Sequence, residues 1–294
     1  MEIVSFSLIF ERYLQMRKIA ALTMVRKDDF FLSRWVEYYG QLLGKENLFI
    51  YFDGEDQSVP ACAQSCNVQV IPRVDGNVRV SDKERINILS ARASQLLESY
   101  DMIIGTDVDE FLVVDPVLHQ SLPEFLSAQN IKGHNSLSGL GCDIIFDPGR
   151  DSVFDRSMPL LSQRRAALLS TRYTKSSVLC APVRWGSGFH RTRRGDFHIC
   201  KGLYLFHFGC ADPSIIAQKM QDKDLASRGW HRHLSKRRRL IDSLPSIPFK
   251  DWDEWTVKAR KLQSWIRLPY TWNKPAMLNM KIRVLVPERF GKIV

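Results

Sequence analysis

The chain lacks any run of the roughly eighteen apolar residues that a membrane-spanning helix requires. Its start, MEIVSFSLIFERYLQMRK, carries an acid at position 2 and is broken by Glu11 and Arg12, so it does not read as a secretory leader. A cytoplasmic location is expected, with the inner face of the membrane as the other place it suits. Cysteine is scattered: Cys62, Cys66, Cys142, Cys180, Cys200 and Cys210 include only one close pair. Structural zinc sites need a second such pair, and dispersed thiols suit a reducing compartment. There is no internal repeat, no low-complexity linker, no zinc-finger spacing and no RNP-type pattern. The recognisable nucleic-acid modules are therefore absent. Acidic residues are the minority, 32 against 42 Lys and Arg, for a net charge of +10. Such a surplus suits nucleic acid, an anionic membrane or a phosphate-bearing substrate, and does not choose among them.

What is present is an alternation of strands and helices. The 294 residues, 45% of them hydrophobic, suffice for one large α/β domain or two small ones. Ile19–Val25 reads as a strand. Phe31, Leu32, Trp35, Val36 and Tyr39 then recur at helical spacing over 30–43, with Gly44 as the C-cap. Asn47–Phe52 is the next strand, ending on Asp53-Gly54, and NVQVIPRV is another. A helix is expected over 82–99 with Ile86, Leu89, Ala93, Leu96 and Leu97 buried. MIIGTDVDEFLVV, from Met102, reads as a further strand. This order predicts a mainly parallel central sheet flanked by helices. Ligands of such sheets bind beyond the strand C-termini, so Asp53 and Asp107 are expected to face one crevice.

The acidic string Asp107-Val108-Asp109-Glu110-Phe111 lies between two apolar runs. Residues two apart on an extended segment share a face, so Asp107 and Asp109 can converge on one hard cation, Mn²⁺ or Mg²⁺. Such an ion neutralises a departing diphosphate. The plain alternative is an acidic surface turn. Lys83 and Arg85, on the preceding helix, suit either phosphates or solvent. Residues 133–160, rich in Gly, Asp and Pro, read as loops. They hold Asp143 and Asp147, of which Asp143 is the better candidate for a carboxylate base. KSSVLCAPVRWGSGFH holds Lys175, Trp185 and His190. Trp185 suits a sugar face or the core, and Gly186 and Gly188 form a turn that carries His190. GLYLFHFG places His207 with Leu203 and Leu205 on one strand face. A buried imidazole there needs a hydrogen-bond partner or a metal.

The acidic string resembles the DxDEF motif of bacterial family-2-like glycosyltransferases with the GT-A fold. VRKDDFFLSRWVEYYGQLLG followed by LFIYFD is similar to that group's first helix and second strand. Lys27-Asp28 or Asp28-Asp29 stands where the group has Asn-Glu, and Tyr39-Gly40 where it has Tyr-His. PLLSQRRAALLSTRYTKSSVLCAPVRWGSGFH and LYLFHFGCADPSIIAQKM continue the likeness, which covers 19–222. The resemblance implies the nucleotide-diphospho-sugar transferase fold, a nucleotide-diphospho-sugar donor, and a saccharide or lipid-linked acceptor in surface polysaccharide biosynthesis. It implies Mn²⁺ or Mg²⁺ on Asp107, Asp109 and His207. It further implies donor contacts from Asp53, Lys83, Arg85 and Asp107, and catalytic roles for Asp143, Glu110 and His190.

The expected partition is an N-terminal extension over 1–18, a catalytic domain over 19–225 and a basic C-terminal extension over 226–294. The run Lys236-Arg237-Arg238-Arg239 in the last segment suits peripheral contact with an anionic membrane. It also supports a rival reading, a nucleic-acid or membrane-surface binding protein, though no nucleic-acid partner is expected. A metal-dependent phosphohydrolase on the same carboxylates is a third reading.

Overall fold

A computed structural model describes residues 16–170, 172–193, 197–266, 272–275 and 281–294, so most of the N-terminal extension lies outside the described residues. The strands are β1 (Ile19–Val25), β2 (Leu48–Asp53), β3 (Asn67–Ile71), β4 (Met102–Gly105), β5 (Glu110–Val114), β6 (Ser136–Ile145), β7 (Ala166–Leu169), β8 (Val178–Leu179), β9 (Phe197–Cys210), β10 (Phe249–Lys250) and β11 (Ile282–Leu285). The helices are α1 (Asp29–Leu43), α2 (Val78–Leu96), α3 (Leu122–Ser127), α4 (Leu160–Gln163), α5 (Pro213–Gln221), α6 (Lys223–Ser227), α7 (His231–Ser243) and α8 (Trp252–Trp265). One mixed sheet runs β10-β11-β7-β6-β8-β4-β1-β2-β3, with β9 pairing to β6 and β5 pairing to β9.

The run β4-β1-β2-β3 is parallel. β1 alternates between two cores: Ile19, Ala21 and Val25 pack with the α1 stripe, while Ala20, Leu22 and Met24 pack with α2. Both faces are thus covered, which is why IAALTMV reads as an unbroken apolar run. The five apolar positions expected on α1 are all buried. Each such side chain contributes roughly 1.5–3 kcal/mol. Asp28 caps α1 by accepting from the Phe31 N–H at 3.4 Å.

The segment 102–114 differs from its sequence reading. It is two strands with a turn between them, and only β4 joins the parallel half. β5 leaves to pair antiparallel with β9. Helix α1 holds that break in place: Trp35 Nε1 donates to Thr106 Oγ1 at 2.9 Å, and Tyr39 Oη accepts from the Leu112 N–H at 2.9 Å. Trp185 packs across Gly105, where a Cβ would come within 2.6 Å of its ring. Only glycine allows that approach.

The C-terminal segment is woven into the same sheet. β11 pairs with β7, and Trp252 of α8 packs against Tyr204, Phe206 and Phe290. Helix α7 docks through Leu234 and Ile241 onto a small cluster with Ile145, Leu168, Cys210 and Ile216.

Candidate active site

The site grows from strand register. Glu110 on β5 lies opposite His207 on β9, and His207 in turn lies opposite Asp143 on β6. Residues in register on neighbouring strands share a face, so three strands far apart in sequence present one row of ionisable groups. Asp109 enters from the turn just before β5, where its carbonyl accepts from the Phe208 N–H at 2.9 Å.

His207 is 2% exposed and lies between two carboxylates. Its Nδ1 is 2.7 Å from Asp143 Oδ1, and its Nε2 is 3.5 Å from Asp109 Oδ2. Tyr173 stacks on the ring at 3.8 Å. Burial works against a charged imidazole, but Asp109 and then Asp143 outweigh it and raise His207 to about 9. For Asp109, burial is overcome chiefly by His207, which holds the carboxyl well below its usual range.

Asp107 is gripped by two cations. Arg85 Nη1 is 2.5 Å from Oδ1 and Lys175 Nζ is 3.0 Å from Oδ2. Against the cost of burial, Arg85 and then Lys175 keep Asp107 well below the carboxylate range. Lys175 Nζ also lies 2.5 Å from Glu110 Oε1, a second ion pair. Glu110 Oε2 accepts from the Asp107 N–H at 3.3 Å. Burial pushes Glu110 up to about 7, with Lys175 pulling against that rise. Burial likewise opposes the charge of Lys175, but Asp107 first and then Glu110 hold it protonated.

The other expected residues are placed as follows. Asp53 ends β2, where its carboxylate accepts from the Val74 N–H at 2.7 Å and pairs with Arg73. It therefore pins the loop after β3. Lys83 is exposed on α2, and Arg85, not Lys83, is the helix residue that reaches Asp107. Asp143 is 6% exposed and is committed to His207, which corrects its expected place as an accessible base. Asp147 is paired with Arg283. Trp185 is core, 1% exposed, with Nε1 donating to the Ser176 carbonyl at 2.7 Å. His190 is mostly buried, and burial, helped by Lys175, lowers it to about 3. Lys175 is the site residue whose importance the sequence conceals, since it meets Asp107 across 68 residues.

Among the described residues, no group of three or more His, Cys, Asp or Glu side chains is arranged to hold a metal ion. Asp107, expected on the metal, already engages two cations, and a carboxylate so engaged attracts a third weakly. Two of the expected ligands do face each other, His207 and Asp109, but as an ion pair. Asp143 anchors His207 Nδ1, leaving Nε2 turned toward Asp109. A separate groove of about 710 Å³ runs between β2, β3 and α2, walled by Tyr51, Ile71, Arg73, Val80 and Arg92. No member of the acidic cluster lines it.

No protein-family model matches the chain, and no curated protein matches it. Solved structures give weak likenesses in fold. A mannosyltransferase, PcManGT from Pyrobaculum calidifontis, solved with GDP-Man and Mn²⁺, is 8% identical with a TM-score of 0.36, over 87% of this chain and 82% of that one. A mycobacterial protein is 14% identical with a TM-score of 0.28, over 45% of this chain and 44% of that one. The bifunctional glycosyltransferase WbbM, in its apo form, is 14% identical with a TM-score of 0.23, over 43% of this chain and 23% of that one.

Proposed function

We propose that the chain is a glycosyltransferase. It takes a sugar from a nucleotide-diphospho-sugar and transfers it to a saccharide or lipid-linked acceptor, in the assembly of surface polysaccharide. The observation that carries this reading is the row Glu110–His207–Asp143 with Asp109 facing His207, set at the break after β4. A divalent cation, Mn²⁺ or Mg²⁺, would be held by Asp109 and His207, replacing the Nε2 proton that the imidazole now shares with Asp109. When bound, that cation supplies positive charge against a leaving diphosphate.

The chain's own residues account for the rest of the site. Asp143 orients the His207 ring through Nδ1. Lys175 offsets Asp107 and Glu110 inside the fold, so the acidic turn does not repel an anionic donor. Arg85 adds a second cation beside Asp107. Asp53, at the end of β2, would serve the nucleoside by holding Arg73 and the loop after β3 in place. Glu110 and Asp143 support the groups in front of them. The exposed part of the basic run on α7 suits a peripheral hold on an anionic membrane.

The test is a panel of nucleotide-sugars with Mn²⁺, read by product mass, on the wild type and on Asp109→Asn. The wild type should transfer from at least one donor. Asp109→Asn should lose at least about a hundredfold of that activity, as removal of a transition-state charge partner does, while keeping its melting temperature within a few degrees. Undiminished turnover by the variant in chelator-treated buffer would sink the assignment.

A further inference from the structure

The basic run on α7 is not one surface. Lys236, Arg238 and Arg239 are exposed, whereas Arg237 is turned inward. Helical spacing explains the split. Arg237 follows Leu234 by three positions and precedes Ile241 by four, so it shares the face that docks α7. Leu234 and Ile241 are buried in the cluster that contains Cys210 and Ile145. Their packing carries the Arg237 guanidinium over the end of β9.

There it meets the site. A Cβ on Gly209 would fall 2.6 Å from His207 Nε2 and 2.9 Å from Arg237 Nη1. The bare glycine is thus the floor over which the imidazole edge and the guanidinium come together. Any other residue would displace both. Burial opposes the charge on Arg237, and the carboxylates of Asp109 and Asp143 favour it.

Arg237 differs from the other inward-facing arginines. Arg283 donates to the carbonyls of Leu244 and Ile247 and pairs with Asp147. Arg164 donates to the carbonyls of Ala211, Gln163 and Ser152. Arg237 has no hydrogen bond or ion pair among the described residues. The nearby carboxylates are taken: His207 occupies both Asp109 and Asp143. A guanidinium carries five donors, and those of Arg237 are spent on no protein group among the described residues and stay open to a ligand. Its planar fork matches two phosphate oxygens.

We infer that Arg237 is an anion-binding residue of the candidate site, its guanidinium taking the diphosphate of the donor beside His207. The diphosphate identity rests on the glycosyltransferase reading; the anion site itself rests on the placement of Arg237 and Gly209. The helix that completes the site therefore comes from the basic C-terminal segment.

Calorimetric titration of the full chain with inorganic pyrophosphate in metal-free buffer at fixed ionic strength tests this. Arg237→Gln should weaken binding roughly tenfold or more, the usual worth of a charge-assisted contact. Arg237→Lys, which keeps the charge and loses the fork, should fall between. The double variant Lys236→Gln/Arg238→Gln, which removes more charge from the same helix, should bind within about twofold of wild type, because screened surface charges contribute little. Wild-type binding by Arg237→Gln and Arg237→Lys overturns the inference, as does an equal loss in the double variant. A protein that shows this dependence on Arg237 but binds no nucleotide-sugar would overturn the glycosyltransferase reading alone. One that transfers sugar with Arg237→Gln unimpaired in pyrophosphate binding would overturn only the role of Arg237.

Discussion

Lys175 shows how one residue decides the character of the acidic turn. Its ammonium is almost wholly buried and faces Asp107 and Glu110 at once. Two carboxylates packed this closely inside the fold are tolerable only with such a counter-charge. Lys175→Met should therefore destabilise the protein by about 3 kcal/mol, the lower part of the range for breaking a buried pair, because Asp107 keeps Arg85. Adding Glu110→Gln to that variant should restore part of the loss above about pH 7, where Glu110 would otherwise have to ionise without its partner. Urea unfolding of the single and double variants measures both changes. A single variant within about 0.5 kcal/mol of wild type, the scale of an ordinary surface change, would show that Lys175 does not hold the turn together. Nothing around Lys175 in the sequence marks it; its meaning comes from strands brought beside it.

At the scale of elements, α7 has two faces with two tasks. The inner face carries Leu234, Arg237 and Ile241 toward β9, and the outer face keeps Lys236, Arg238 and Arg239 in solvent. Only the outer residues are free to meet a membrane surface. Among the tail tryptophans, Trp252 is 3% exposed and belongs to the core, while Trp265 is 88% exposed. Vesicle sedimentation should therefore show weak binding that rises with anionic lipid content and disappears in high salt. Changing Lys236, Arg238 and Arg239 together to Gln should remove it, with the fold unaffected. Equal recovery in the supernatant at every lipid composition would retire this contact.

For the molecule as a whole, two largely buried groups of the site pull acid sensitivity in opposite directions, His190 and Glu110. The folded value of His190, about 3, is set by burial first and by Lys175 second, against about 6.5 in an unfolded chain. Between those values the unfolded state binds a proton that the folded state refuses, so the contribution of His190 falls as pH falls from 6.5 toward 3, while Glu110, at about 7 in the fold, takes up its proton before a free carboxyl does and offsets that loss. The depressed carboxylates Asp107 and Asp109 add to this only once the pH approaches about 4, where free carboxyls begin to protonate. From pH 6.5 to 4.5 the effect of His190 amounts to roughly 2 kcal/mol. His190→Gln should lift the acid side of a melting-temperature profile relative to wild type, leaving the opposite slope of Glu110, and an unchanged slope would remove His190 from the account. No helix among the described residues is long and apolar enough to cross a membrane.

Local pattern was enough for the parallel half of the fold. The α1 stripe of Phe31, Leu32, Trp35, Val36 and Tyr39 is legible because helical period and burial coincide. α2 begins four residues earlier than its pattern suggests, because Asn77, accepting from the N–H groups of Arg79 and Val80, caps it. The alternation in GLYLFHF correctly sets Leu203, Leu205 and His207 on one face, opposite Val114, Leu112 and Glu110. Asp107, Asp109, Glu110 and His207 could all be picked out as residues, since their types and spacing are local facts. Their partners could not. The chain from 102 to 114 is apolar on both sides of the turn, so nothing in its period shows that β5 abandons β4 for β9. That exchange sets His207 between Asp109 and Asp143, gives Lys175 to Asp107, and brings Arg237 from a basic run onto Gly209. Sequence alone determined which groups are acidic, basic or apolar and how each short segment folds. The tertiary structure decided which charge meets which, because those pairings depend on strand register and helix docking between segments that carry no local record of each other.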